Sequence, residues 1–220
     1  LQTLHAMATD WAAAGQAYAV RRPRLAIEFE HGGVVLRDWL DPLYQASADP
    51  GTPCTWLKLE PSRLLDKKEG SPRPDKLLDV WVQSLAAAAC GHVVQAQVVG
   101  QGGGITAEPM DTATAQAQLQ TLLEVWLQGM QSPLPLPLRT ALALAAELQT
   151  GKPADLANVY EGDEHSPGFA DVNDPCLARL YPDFDSLEAD DRFRALTEAV
   201  FLPLLDWVQT HVQAQPSASA

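Results

Sequence analysis

Apolar positions along the chain change their spacing at points that divide it into successive helices and strands. In residues 1–20, Leu1, Leu4, Ala8, Trp11 and Ala12 recur at helical spacing, and Arg21-Arg22-Pro23-Arg24 ends the pattern. Leu25, Ile27 and Phe29 then alternate with Ala26, Glu28 and Glu30, the period of a strand with one buried face. His31-Gly32-Gly33 turns this strand into a second one over 34–44, and the two are expected to form a hairpin. Beyond the loop at 45–53, with its Asp49-Pro50-Gly51, residues 54–60 predict a third strand. Leu57 and Leu59 should face one way, and Trp56, Lys58 and Glu60 the other.

Residues 75–90 predict a helix that Pro74 and Asp75 begin and Gly91 stops, with Leu78, Trp81, Val82, Leu85 and Ala89 as its buried stripe. Residues 92–99, almost uncharged, predict an interior strand, and Gln101-Gly102-Gly103-Gly104 leads to a fifth over 105–109. Helices follow over 111–130 (Leu119, Leu122, Leu123, Trp126, Leu127), 138–149 and 190–213 (Phe193, Leu196, Val200, Leu204, Trp207). Pro203 is expected to bend the last one, because it removes a backbone donor inside the helix. Pro133, Pro135 and Pro137 alternate with leucines in a rigid extended segment. Residues 150–185 have little periodicity, and so long a stretch reads as functional or partner-bound. The order predicts a mixed α/β fold with a central sheet. Its core spans 1–110. A helical extension of the same domain packs on it over 111–212, and a disordered tail over 213–220 has little to bury.

A chain of 220 residues suits one domain with a sizeable core. It begins on a leucine within a helical run, without a secretory signal, and reads as a piece of a longer protein. No apolar run approaches the roughly 20 residues of a membrane helix, so a soluble, cytoplasmic protein is expected and no membrane partner. Cys54, Cys90 and Cys176 lack the spacing of a disulfide framework or a zinc site and are expected as buried free thiols. The net charge of -13 argues against this chain alone gripping nucleic acid. The charge is uneven, however. Residues 150–220 hold 13 of the 28 acidic residues and only 4 of the 15 basic ones, whereas Arg63, Lys67, Lys68, Arg73 and Lys76 are grouped. Those five are the candidate contacts to DNA or a partner, beside the plainer reading of a solvated loop.

Three further features are weaker. The Gly100-Gln101-Gly102-Gly103-Gly104 run lacks the Lys-Ser/Thr of a phosphate loop and reads as a turn between strands, giving this chain no nucleotide site. The five histidines, His5, His31, His92, His165 and His211, show no metal spacing, and Glu161, Asp163, Glu164 and His165 read as a solvated acidic loop before a weak cation site. Of the six tryptophans, Trp81, Trp126 and Trp207 lie on apolar stripes and are expected in the core. Trp39 and Trp56 are left open between packing and base stacking.

Four stretches together resemble a known family: 36–44; 58–64 with Pro61-Ser62-Arg63-Leu64; 77–91; and 133–145 followed by Tyr160-Glu161-Gly162 and Leu180-Tyr181-Pro182-Asp183-Phe184. In order and spacing they are similar to the C-terminal, nuclease-like domain of the gamma subunit of exodeoxyribonuclease V, the RecC family. The resemblance implies a PD-(D/E)xK restriction-endonuclease-like mixed sheet flanked by helices, with a helical C-terminal extension. It also implies RecB-like and RecD-like partner subunits, double-stranded DNA ends as the substrate of the complex, and a role in recombination and double-strand-break repair. Mg and ATP are implied for the partner subunits only.

In an active relative, an aspartate ends one strand, and an acid on the next is followed two residues later by a lysine. Asp41 matches the first position, but Lys58 falls on the acid and Glu60 on the lysine. A Mg²⁺ site needs carboxylate oxygens. An ammonium about 4 Å from a dication would be repelled by roughly 8 kcal/mol even at an effective dielectric near 20. Asp41, Lys58 and Glu60 are therefore expected to be degenerate nuclease positions, an ion-paired remnant on one sheet face with no metal. The leading expectation is a non-catalytic scaffold that guides or splits the DNA end. Its rivals are an active divalent-metal exonuclease using Asp41 and Glu60, and an interaction module unrelated to DNA.

Overall fold

The computed structural model describes residues 2–18, 20–49, 51–162 and 167–217. The chain divides into two compact units, Leu1–Gln120 with Trp207–Ala220, and Thr121–Asp206. Among the described residues no helix is long and apolar enough to cross a membrane.

The first unit is a mixed α/β structure. Helix α1 (Gln2–Ala17) leads into β1 (Val20–Arg22), followed by the hairpin β2 (Leu25–His31) and β3 (Val34–Leu40), then β4 (Leu43–Gln45) and β5 (Cys54–Leu59). Helix α2 (Leu78–Ala89) then precedes β6 (Val94–Gly100) and β7 (Gly103–Ala107), and β8 (Val212–Pro216) returns near the C-terminus. The central sheet runs β1-β4-β5-β6-β7-β8, while β2 and β3 form a separate two-stranded sheet. Among the described residues only β5 and β6 pair in parallel. That pairing requires a crossover, and α2 supplies it.

Alternation along the strands decides which helix each face meets. Leu57 and Val99 pack with Ala14, Met7, Trp11 and Tyr44, so this face carries α1. Lys58, one residue on, reaches Asp79 in the first turn of α2 on the other face. The helical stripe of α1 therefore runs through Met7, Trp11 and Ala14, and the expected Ala8 and Ala12 are exposed. Leu1 and the Leu4 side chain lie outside the described residues. Helix α2 packs against both β6 and β2. Two of its faces are buried, with Val80 and Trp81 each 1 % exposed and Leu85 at 0 %, while the expected Val82 faces outward.

Several strand expectations need correction. The continuous strand over 34–44 breaks at Asp41-Pro42, because Pro42 has no N–H to give a ladder; β3 stays with the hairpin and β4 joins the central sheet. Leu59, expected to share the burial of Leu57, lies exposed at the end of β5. The segment expected as a disordered tail from residue 213 is instead β8, paired in antiparallel register with β7 from Gly103↔Pro216 to Ala107↔Val212. It buries little of itself but satisfies the backbone of β7, whose residues are all buried. Residues 218–220 lie outside the described part. The glycine run is a tight turn, as expected: Gly102 takes φ 78°, and a Cβ on Gly104 would stand 2.3 Å from the Val98 carbonyl oxygen.

Helix α3 (Thr112–Gln131) and helix α8 (Arg192–His211, with Pro203 inside it) belong in part to each unit. On α3 Ala115, Leu119 and Leu123 are buried four residues apart and Val125 is buried as well, leaving Trp126 half-exposed instead of in the core. On α8 the expected stripe of Phe193, Leu196, Val200, Leu204 and Trp207 is buried throughout.

The second unit contains α4 (Leu138–Thr150), α5 (Leu156–Glu161), α6 (Pro175–Leu180) and α7 (Phe184–Glu188). Its stretch of little periodicity is a chain of short helices held by carboxylates. Asp155, Asp174 and Asp183 accept from the first-turn amides of α5, α6 and α7. Asp171 accepts from both the amide and the hydroxyl of the buried Thr140 at 2.8 Å, near the start of α4. The buried Tyr160 hydroxyl donates to the Tyr181 carbonyl at 2.6 Å, and Tyr181 donates to Asp190, which Arg192 grips with two nitrogens. Burial, with the nearby Asp171 charge, pushes the Tyr160 phenol up to about 12, while Arg192 holds the Asp190 carboxyl well below the usual range.

Candidate functional site

Asp41, Lys58 and Glu60, the three residues set against the nuclease motif in the sequence, lie in the first unit around the junction of β4 and β5. Asp41 follows β3, Lys58 sits within β5, and Glu60 comes directly after β5, where its amide donates to Val99 O at 2.9 Å. Trp56, buried on β5, donates its indole N–H to the Asp41 carbonyl at 3.4 Å, and Lys58 Nζ lies 5.7 Å from the Trp56 ring centre. Sheet register thus brings the Asp41 backbone, Trp56 and Lys58 together.

The side chains nevertheless take separate partners, which corrects the expected mutual ion pairing. Arg21 Nη2 contacts both Asp41 oxygens at 3.3 Å. The Lys58 ammonium, with 21 % of its side chain exposed, donates to Asp79. Glu60 accepts from the Ser62 amide at 3.2 Å, closing a turn. A lysine two residues away on the same strand face would otherwise have needed its counter-charge from Asp41 or Glu60; α2 provides one from the opposite layer. Asp79 and Arg21 were not singled out from the sequence. The only hint for Asp79 was an acid in the first turn of a helix that must cross β5, and Arg21 was hidden within a segment read as a pattern break.

The five basic residues are close in sequence but differ in state. Leu65 and Pro72 bridge a short excursion whose base is closed by Asp66 N to Ser71 O at 2.8 Å. Asp66 accepts from the Glu69 and Lys68 amides, which hold its carboxyl below the usual aspartate range. Lys67 and Lys68 stand exposed at the tip. Arg73 and Lys76 share Asp75, at 2.8 and 3.3 Å, so much of their charge is answered locally. Arg63 is half-buried against the glycine turn, where a Cβ at Gly102 would meet its Nη1 at 2.5 Å.

The remaining candidates separate by burial. Trp56 is core, and a base cannot reach it; Trp39 is half-exposed on the hairpin, with the Arg24 guanidinium 3.9 Å above its ring. Among the described residues no group of three His, Cys, Asp or Glu side chains converges as a metal site would. Asp163, Glu164 and His165 lie outside the described residues. His92 Nε2 is 3.2 Å from Ala26 O. Cys176 is exposed, while Cys54 and Cys90 are half-buried, so the expected burial of all three thiols does not hold. Burial raises the Cys54 thiol above its ordinary value against the opposing charge of Arg22.

The family model described as the RecC C-terminal domain matches residues 1–149. The matched span includes Asp41, Lys58, Glu60, Asp79 and the whole basic segment. No curated protein matches the chain. With the match covering more than half of its length, the chain belongs to the RecC C-terminal domain family, that of the exodeoxyribonuclease V gamma subunit.

Proposed function

We propose that the chain is a non-catalytic domain of a RecC-like subunit, which scaffolds RecB-like and RecD-like partners in a cytoplasmic repair complex and helps to guide DNA ends. The family match supports the subunit role. The Lys58–Asp79 pair is the observation that carries the absence of catalysis. In a PD-(D/E)xK relative, position 58 would hold a metal-binding acid; here it presents an ammonium, and the carboxylate it attracts belongs to α2. Asp41 is likewise engaged by Arg21, and Glu60 by a turn amide. Assembling a Mg²⁺ site would require breaking these contacts beside a resident cation. The mixed sheet with its parallel β5–β6 pair between α1 and α2 supports reading the core as a retired PD-(D/E)xK nuclease. Any Mg- or ATP-dependent step is assigned to the partner subunits.

The test combines chemistry and assembly. The chain should release no nucleotides from linear duplex DNA with Mg²⁺ or Mn²⁺, give no binding heat with either ion, and be captured by RecB-like and RecD-like subunits. Cleavage and metal binding that both disappear in Asp41→Ala would establish the exonuclease instead. Absence of capture would remove the scaffold.

A further inference from the structure

A recess of about 380 Å³ opens on the first unit between the β1–β2 link and the α2–β6 loop. Arg22, Arg24, Gln45, Cys54 and His92 are among its lining residues, and among the described residues no carboxylate lines it. Both arginines are exposed. Arg21, Arg37, Arg73, Arg192 and Arg194 each take an acidic partner, whereas among the described residues Arg22 and Arg24 take none. The nearby Glu28 of the hairpin is already held by Arg37. In a chain of net charge -13, a recess walled by two unanswered guanidiniums is where an anion would be concentrated.

The local geometry favours one kind of anion. The Arg24 guanidinium carbon stands 3.9 Å from the centre of the Trp39 ring, a cation–π contact that takes none of its N–H groups, so these remain available to a phosphate. Trp39 itself is 51 % exposed, an aromatic surface directly beside Arg24. A phosphate next to a flat apolar ring is the repeating unit of a single-stranded nucleic acid, and stacking plus phosphate contact is how such strands are held without regard to sequence. An acidic peptide would use the arginines but not the ring.

We propose that Arg22 and Arg24 form a phosphate notch for a single DNA strand, with a base resting against Trp39. This rests on the proposed role at DNA ends and gives that role residues different from the basic segment at 63–76.

The experiment follows fluorescence anisotropy of a labelled oligothymidine with the full chain from low to moderate salt, with a polyglutamate peptide as competitor. Arg22→Gln/Arg24→Gln should weaken binding at least tenfold and flatten the log–log salt slope by about 1.4, the value for two lost phosphate contacts on a single strand. Trp39→Leu should weaken binding several-fold with the slope unchanged, and Lys67→Gln/Lys68→Gln should change neither. Matching melting curves confirm that these exposed substitutions leave the fold intact. The notch is overturned by wild-type protein that does not bind the oligonucleotide at low salt, by a double-arginine variant with unchanged affinity and slope, or by polyglutamate competing as well as unlabelled oligothymidine. Capture by the RecB-like and RecD-like subunits, measured on the same variants, keeps the two readings apart. Retained capture with no effect on DNA removes only the notch, and lost capture by the wild type removes the subunit role while the DNA result still decides the notch.

Discussion

The Lys58–Asp79 pair joins a largely buried ammonium to a carboxylate with 63 % of its side chain exposed. The two partners therefore should not be equivalent. Removing the acid strands a cation that has already lost most of its water, whereas removing the cation leaves an aspartate that solvent can hydrate. We expect Asp79→Asn to cost about 1 kcal/mol, the exposed end keeping the loss near the surface range. Lys58→Met keeps an alkyl stem near Trp56 and should stay within about 0.5 kcal/mol of the wild type. Urea denaturation measures both. A larger loss for Lys58→Met than for Asp79→Asn would mean that the ammonium holds β5 by itself, through Trp56. The anomaly at 58 and 60 was legible in the sequence only through the family resemblance, which sets Lys58 and Glu60 beside Asp41 against the nuclease motif. The sequence could not supply their partners, since Arg21 and Asp79 arrive from separate elements and long-range pairing leaves no trace in local spacing.

At the scale of elements, the uncharged run at 92–99 and the glycine turn after it pointed to β6 and β7, and periodicity located β2, β3, β5 and the long helices, because each of these buries a face that the pattern records. Periodicity failed where something other than burial of one face holds an element in place. Pro42 splits a strand through a missing N–H, α2 is covered on two sides, and β8 is held by its ladder to β7, with Gln97 adding a side-chain bond to Gln215 at 3.0 Å. The role of β8 is therefore chiefly to close an edge. Ending the chain at His211 should leave the buried β7 with five residues of open ladder, lower the urea midpoint, and produce concentration-dependent association visible by light scattering. A truncated chain that stays monomeric with an unchanged midpoint would show that β8 is dispensable.

For the whole molecule, the uneven charge acquires a division of labour. The acidic surplus after residue 150 looked from composition like a solvated or partner-facing stretch, yet much of it is structural: Asp155, Asp174 and Asp183 cap helices, Asp171 anchors Thr140, Glu161 accepts from the Phe184 amide, and Asp190 binds Arg192 and Tyr181. Composition could not separate these from free charge, because capping depends on a backbone turn that only the fold provides. Asp185, Glu188 and Asp191 are exposed, and no ion pair engages them among the described residues. If the proposed scaffold meets basic partner surfaces through this unit, neutralising these three should matter for association, while neutralising a cap should matter for stability. Asp185→Asn/Glu188→Gln/Asp191→Asn should leave the melting temperature unchanged but slow capture by the partner subunits and flatten its salt dependence, as steering by exposed charge requires. Asp183→Ala should instead lower the melting temperature, as loss of a cap worth about 1 kcal/mol requires, with little change in capture kinetics once folded protein is counted, because Asp183 accepts from the Ser186 amide and alanine cannot. Stopped-flow association at several salt concentrations, set beside thermal melts, reads both. Equal capture rates and equal salt slopes for wild type and triple variant would place the partner-facing charge elsewhere on the chain.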